Sequence, residues 1–340
     1  MAGDRAATPP WQNRAVTSSL PRELREVFER FITTEYTAVG ARHQPITWPV
    51  TPYYEPGGPS IDVTTGLGYP KKADDARRNP RVALLFSDPT GAGIEDAIQV
   101  LVQGTAEVDD SDLGANKERY WRESQEKLPG TRDAHPPKLL RGLFGWYYTR
   151  IYVKVRPERV FVWGDGDVSK EPEVHDSHLE EVRSGHIEEP LEAHEPKAGG
   201  PVSWDERMDE LGARHQTAVL SWVGPDGFPL AVRTPVKLDR DARRVGLGSQ
   251  PAGLPLTEGP ACLTAHAHDQ SFSWQENFQV RGDLVRGDAG WALVPHRLVG
   301  GFELPDEGEL ARYRRNLSKA VRFYRTARRR RGASEPSPRR

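Results

Sequence analysis

Between residues 36 and 163, six short runs rich in β-branched and aromatic residues follow one another, each bounded by glycine, proline or polar residues. This rhythm constrains the chain more than any other feature. The runs are "YTAVGAR", "ITWPVTPYY", "SIDVTTG", "RVALLFS", "IQVLVQGTAEV" and "TRIYVKVRPERVFVW". Short strands with close-set turns suit an antiparallel barrel or sandwich rather than a parallel sheet. Ahead of them, "LPRELREVFERF" spaces Leu24, Val27, Phe28 and Phe31 as one face of a short helix, with Pro21 near its first turn. The stretch 111–146 interrupts the strands. Its "LGANKERYWRESQEKL" puts Leu113, Tyr120 and Trp121 on one helical face, and its "KLLRGLFGWYY" is strongly apolar, so helices are expected to pack over the barrel.

The second half looks like the first again. "RMDELGARHQTAVLSWVGPDGFPLAVRTPVKLDRDARRVGLG" runs helix, strand, turn, strand, turn, strand, and "ENFQVRGDLVRGD" stands where the first half has "IQVLVQGTAEVDD". "VGPDGFPLA" is a hairpin signal. Both halves contain "GARHQ", at positions that do not align. The expected organisation of the 340 residues is a disordered leader over 1–19, a barrel over 20–165, an acidic linker over 166–203, a second barrel over 204–328 and a basic tail over 329–340. The second barrel should finish in a long helix, with Leu310, Tyr313, Leu317, Val321 and Tyr324 on one face. His175, His178, His186 and His194 sit beside carboxylates in the linker, without cysteine partners or a compact ligand spacing, and read as solvated rather than metal-binding.

A formal net charge of −2 gives no global basic field, so neither nucleic acid nor a membrane surface is expected as the main partner. The start "MAGDRAATPPWQNRAVTSS" lacks an apolar core segment of a signal peptide, and a cytoplasmic location is expected. Cys262 is the single cysteine, which excludes an internal disulfide framework and reads as a small buried hydrophobe.

One connection stands apart. In "TTGLGYPKKADDARRNPRVALLF", residues 64–86, two threonines, two close glycines, two lysines and two arginines lie between apolar runs. Hydroxyls, closely approachable backbone and cations converging from one turn are what a bound phosphate needs, and a solvated basic turn beside "ADD" is the plainer alternative.

The order "IDVTTGLGYPKK", "ADDARR", "NPRVALLF", followed by "QVLVQGTAEV" and a closing "VRPERVFVW", resembles the pyridoxamine 5′-phosphate oxidase-like family of flavin-binding split β-barrels and its deazaflavin reductase relatives. The likeness covers residues 20–165 well and 204–325 weakly. It implies a mainly β chain with flanking helices, folded as two tandem split β-barrels. It also implies a flavin-dependent oxidoreductase that passes hydride between an FMN-type cofactor and a small organic molecule. A deazaflavin coenzyme is the alternative cofactor, haem is a further one, and a non-catalytic flavin- or haem-binding protein is the competing function. By the resemblance, Thr64, Thr65, Gly66, Lys71, Lys72, Arg77 and Arg78 would hold the phosphate. The ring would lie along Ile46 to Tyr53, with Trp48 and Thr51 facing it, in a groove closed by the second barrel. Trp48 is equally readable as plain core.

The second half departs from the pattern. Between Arg244 and Arg281 it has no lysine or arginine, so a second phosphate bound in the same way is not expected. Barrels of this family usually pair between subunits. A tandem chain would make the pair internally, as an intramolecular pseudo-dimer that is itself a monomer or homodimer, with one functional site. His266, His268, Trp274 and Arg281 are candidates for the far wall of that site, and His43, His215, His266 and His268 for a haem ligand. No residue stands out as a general acid or base, and the substrate is not readable.

Overall fold

The computed structural model describes residues 20–128, 145–176, 202–204, 208–288, 290–300 and 322–330. The first sheet contains β1 (Thr34–Val39), β2 (Pro45–Val50), β3 (Tyr53–Tyr54), β4 (Ile61–Gly66), β5 (Arg81–Phe86), β6 (Gln99–Asp109) and β7 (Arg150–Trp163), with β8 (Glu173–Asp176) added beside β7. Its order is β2-β1-β5-β6-β7-β4-β3, with antiparallel pairings. The two ends of this sheet, β2 and β3, are consecutive in the chain, parted only by Thr51 and Pro52. One run of chain therefore pairs β1 with its first part and β4 with its second, breaking at a proline that has no N–H to donate.

The second sheet is a closed barrel of β9 (Thr217–Val223), β10 (Pro229–Asp239), β11 (Arg244–Leu247), β12 (Gly259–His268), β13 (Gln275–Gly287) and β14 (Gly290–Gly300), in the order β10-β11-β14-β13-β12-β9. Here β10 does in one piece what β2 and β3 do in two: Pro229–Pro235 pairs β9, and Val236–Asp239 pairs β11. Strand for strand, the two sheets have the same order.

A shared irregularity fixes the correspondence. The β6/β7 ladder shifts register between Gln103 and Gly104, which faces Pro157, and the β13/β14 ladder shifts between Arg281 and Gly282, which faces Pro295. A Cβ on Gly104 would lie 2.1 Å from the Arg156 carbonyl oxygen, and one on Gly282 would lie 2.1 Å from that of Val294, so each bulge admits only glycine. Counting from these anchors, Val155 corresponds to Leu293, and their partners Ile61 and Val245 correspond in turn. Thr65 then matches Ser249. Likewise Thr37 matches Ser221 through Ala83 and Cys262, which makes Thr47 the counterpart of Ala231 and Thr51 that of Pro235.

The unbroken apolar reading of "RVALLF" has a simple cause: both faces of β5 are buried. Val82, Leu84 and Phe86 point into the first core with Ile61, Val63 and Val153, whereas Ala83 and Leu85 join Val219, Leu220 and Ala231 of the second sheet in another. Helix α1 (Arg22–Arg30) buries Leu24, Val27 and Phe28 against the first core, as its spacing predicts. Helices α2 (Lys71–Arg78) and α3 (Leu113–Lys127) lie on the same half, and α3 turns Asn116, Tyr120 and Ser124 inward. Two short helices, α4 (Gly145–Tyr148) and α5 (Asp209–Arg214), precede β7 and β9.

Three expectations change. The span expected as linker is folded surface as far as Asp176: β8 pairs β7, Val168 is buried in the second core, and the Trp163 indole donates to the Lys170 carbonyl at 3.0 Å. The last helix, α6 (322–330), buries Ala327 and half-buries Phe323, while Tyr324 is 54% exposed and so lies off the packed face. "GARHQ" is coincidence, a turn between β1 and β2 in one half and the end of α5 in the other. The leader, His178, His186, His194, Leu310, Tyr313, Leu317, Val321 and the tail beyond Arg330 lie outside the described residues. Among the described helices, none is long and apolar enough to cross a membrane.

Candidate anion and cofactor site

Strand alternation separates the two threonines of the basic turn. On β4, Thr65 faces inward opposite Ile151 and is fully buried, whereas Thr64 faces outward opposite Tyr152 and Gly66 lies opposite Arg150. The Thr65 hydroxyl donates to the Tyr69 carbonyl at 2.8 Å, and the Tyr69 N–H donates to the Gly66 carbonyl at 2.9 Å, so the turn closes on its own groups. A Cβ on Gly66 would meet the Tyr69 ring at 2.6 Å, so a larger residue would have to displace that ring. The Tyr69 ring in turn packs at a tilt against Phe323 of α6, 5.2 Å between centroids.

Helix α2 matches most of its own charge. Lys71 pairs with Asp75 at 2.9 Å, Arg78 pairs with the same buried carboxylate, and Arg77 pairs with Asp110 at 2.6 Å and Asp74 at 3.4 Å. Lys72 is the exception. It is half-buried, no described carboxylate bonds to it, and removal from water together with the Arg150 charge lowers its ammonium pKa to about 8.

Arg150 is the residue that the sequence did not single out. Only 5% exposed, it donates from Nη1 to the Tyr69 hydroxyl at 2.5 Å and from Nη2 to the Tyr120 hydroxyl at 2.8 Å, and its Nε has no partner among the described residues. The rings of Tyr120 and Tyr147 lie 4.2 Å and 4.4 Å from its guanidinium carbon. Arg150 therefore sits against tyrosines, Lys72 is near enough to feel its charge, and no described carboxylate bonds to either. Burying charge without a counter-ion is costly, and an anion is the group that would complete this arrangement. Tyr53 continues the aromatic face, 6.4 Å from both Tyr120 and Tyr152.

Trp48 and Thr51 are half-buried, Trp48 on β2 opposite Tyr36 and Thr51 at the break before β3. The second sheet touches this strand at Thr47, whose hydroxyl is 2.6 Å from that of Ser221 and whose carbonyl accepts from Thr264 at 3.1 Å and Gln279 at 2.5 Å. The segment Trp48 to Tyr53 thus runs from the contact between the sheets to the tyrosine face.

A second polar cluster lies between the sheets. Glu35, fully buried on β1, accepts from Ser87 at 2.9 Å and from Arg233 Nη2 at 2.9 Å, and its Oε1 is 2.5 Å from His266 Nε2. Burial opposes its charge, but His266 and Arg233 hold the carboxyl below its ordinary value, and Asp88 beside them is lowered too. His268 is 3.1 Å from the Thr33 hydroxyl. A carboxylate in the middle of "TTEYTAV" was the available sequence signal for this cluster. Of the other far-wall candidates, Trp274 is 39% exposed and Arg281 bonds Gln279 at 2.6 Å. No metal-ligating group of three occurs among the described residues, and the thiol of buried Cys262 is pushed up to about 11 by burial.

No family model matches the chain, and no curated protein does. Among solved structures, it is similar to a conserved hypothetical protein, Rv2991, of Mycobacterium tuberculosis, at 18% identity, covering 43% of this chain and 86% of that one with a TM-score of 0.33. It is also similar to a putative pyridoxamine 5′-phosphate oxidase of Listeria innocua at 18% identity, covering 42% of this chain and 96% of that one, TM-score 0.30. A third match is an F420 reductase at 18% identity, covering 42% and 98%, TM-score 0.32.

Proposed function

We propose that this chain is a flavin-dependent oxidoreductase of two tandem split β-barrels, acting as an intramolecular pseudo-dimer, and that Lys72 and Arg150 hold the phosphate of an FMN-type cofactor. The observation that carries the reading is Arg150, on the outer face of β7, whose buried Nε has no partner among the described residues and whose charge is felt by nearby Lys72, with no described carboxylate bonded to either. When bound, such a cofactor supplies hydride donation and acceptance toward a small organic molecule.

The chain's own residues bind and orient. Lys72 offers a point charge and Arg150 a rigid fork of donors, with the Thr64 hydroxyl on the same strand face. Tyr69, Tyr120 and Tyr147 fix the guanidinium and exclude water around it. Tyr53 extends the aromatic face beside Tyr120 and Tyr152, whereas Trp48, opposite Tyr36, lies on the other face of the sheet, and Lys71, Arg77 and Arg78 add a screened field further out.

Haem is disfavoured: His266 and His268 are tied to Glu35 and Thr33, buried His215 lies 2.9 Å from Glu276, and His43 is on the surface. A deazaflavin coenzyme would present its phosphate to the same two cations. The test is the absorption spectrum and the mass of any chromophore released from the purified protein. Flavin bands supporting FMN are expected, a deazaflavin band would replace the cofactor but keep the site, and a Soret band or failure to take up any of these groups would overturn the reading.

A further inference from the structure

The half without a basic turn borders a cavity. A cavity of about 410 Å³ opens between the sheets, and Ser249 and Pro235 line it. These are the counterparts of Thr65 and Thr51 by the register derived above. The first sheet contributes Ser87, Gln99 and the turn Asp165–Val168 to the opposite wall.

Its charge is the reverse of the first site's. The lining cation, Arg233, is closed off by Glu35 at 2.9 Å, by Ser87 at 3.0 Å and by Thr217 at 3.5 Å. Gln99 pins the same residue's backbone, accepting from its N–H at 2.9 Å and donating to its carbonyl at 3.0 Å. Residues 250–258, "QPAGLPLTE", carry no cation where the first half has α2. Asp165 and Asp167 stand on the lining, facing one exposed lysine, Lys170. An anion entering here would find no uncompensated positive charge and two carboxylates.

What remains is a mostly apolar space between Pro89, Ile98, Val168 and Pro235, with the hydroxyls of Thr217 and Ser249 to orient a guest. We propose that this cavity is a second binding site, for a small aromatic molecule that is uncharged or cationic and carries no phosphate or carboxylate. The rigid Gln99 and Arg233 floor keeps it formed without the ligand. The inference does not depend on the flavin reading, because none of Lys72, Arg150 or their tyrosines takes part.

Three isosteric probes separate the possibilities: benzamidine, benzamide and benzoate, titrated into the full chain by ligand-observed NMR. Benzamidine and benzamide should bind, benzamidine the tighter, and benzoate should bind at least tenfold more weakly than either. Filling the mouth by Ala97→Trp, at an exposed position with little risk to folding, should abolish both signals, and Lys72→Ala should leave them unchanged. Asp167→Asn should remove the advantage of benzamidine over benzamide. Strongest binding by benzoate, binding unaffected by Ala97→Trp, or no binding by any probe would overturn the proposal.

Discussion

The turn after β4 and its counterpart after β11 occupy the same place in the same strand order, yet one gathers cations and the other has none. The first continues from Thr65 into α2 and stands across from Arg150; the second continues from Ser249 into a proline-rich loop without a positive charge. The same strand order thus carries turns of opposite character, and the difference lies in a few side chains on two loops.

The largest effect expected concerns what the halves share. Glu35→Ala would leave Arg233 and His266 buried without their carboxylate, and should cost about 3 to 5 kcal/mol in urea unfolding. The wild-type carboxyl is held below its ordinary value, so its contribution is present above the unfolded pKa and lost as pH falls through the folded one. The variant should therefore lose less stability than wild type on acidification. A variant as stable as wild type would mean that the two sheets do not depend on this cluster.

Next comes the feature that only the first half has. Arg150→Met with Lys72→Ala should weaken FMN binding by about 100-fold or more, roughly 3 kcal/mol, by equilibrium dialysis. Because binding requires protonated Lys72, affinity should decline as pH rises past about 8, and this decline should vanish in Lys72→Ala. A pH-independent affinity between 7 and 9 would remove Lys72 from the site.

The bulges test the correspondence itself. Gly104→Ala and Gly282→Ala each bring a Cβ to 2.1 Å from a carbonyl oxygen, and both should lose about 1 to 3 kcal/mol, by similar amounts. Tolerance at one and collapse at the other would break the equivalence. Smallest is Lys71→Ala: exposed and already paired with Asp75, this lysine should change FMN affinity by about threefold at most.

Much of the fold was legible because its signals are local. Alternating runs and their turns located most strands, and α1 followed from Leu24, Val27 and Phe28. The repeat was visible in "VLVQG" against "FQVRG", where a bulge demands glycine. The site was legible only in part. Lys71, Lys72, Arg77 and Arg78 look alike in sequence, and only the fold shows three of them matched by Asp74, Asp75 and Asp110 while Lys72 is left over. Arg150 opens an apolar strand far along the chain and reaches Gly66 only through the β4/β7 pairing, so no spacing within the turn points to it. Tyr324 was misplaced because periodicity finds an apolar stripe without saying which face meets the core.

The most direct measurement compares FMN with riboflavin, which differ only in the phosphate, by isothermal titration of the wild-type chain. The account predicts FMN tighter by about 100-fold or more, a difference erased by removing Lys72 and Arg150. Equal affinity for the two, or the same preference in the double variant, would contradict it.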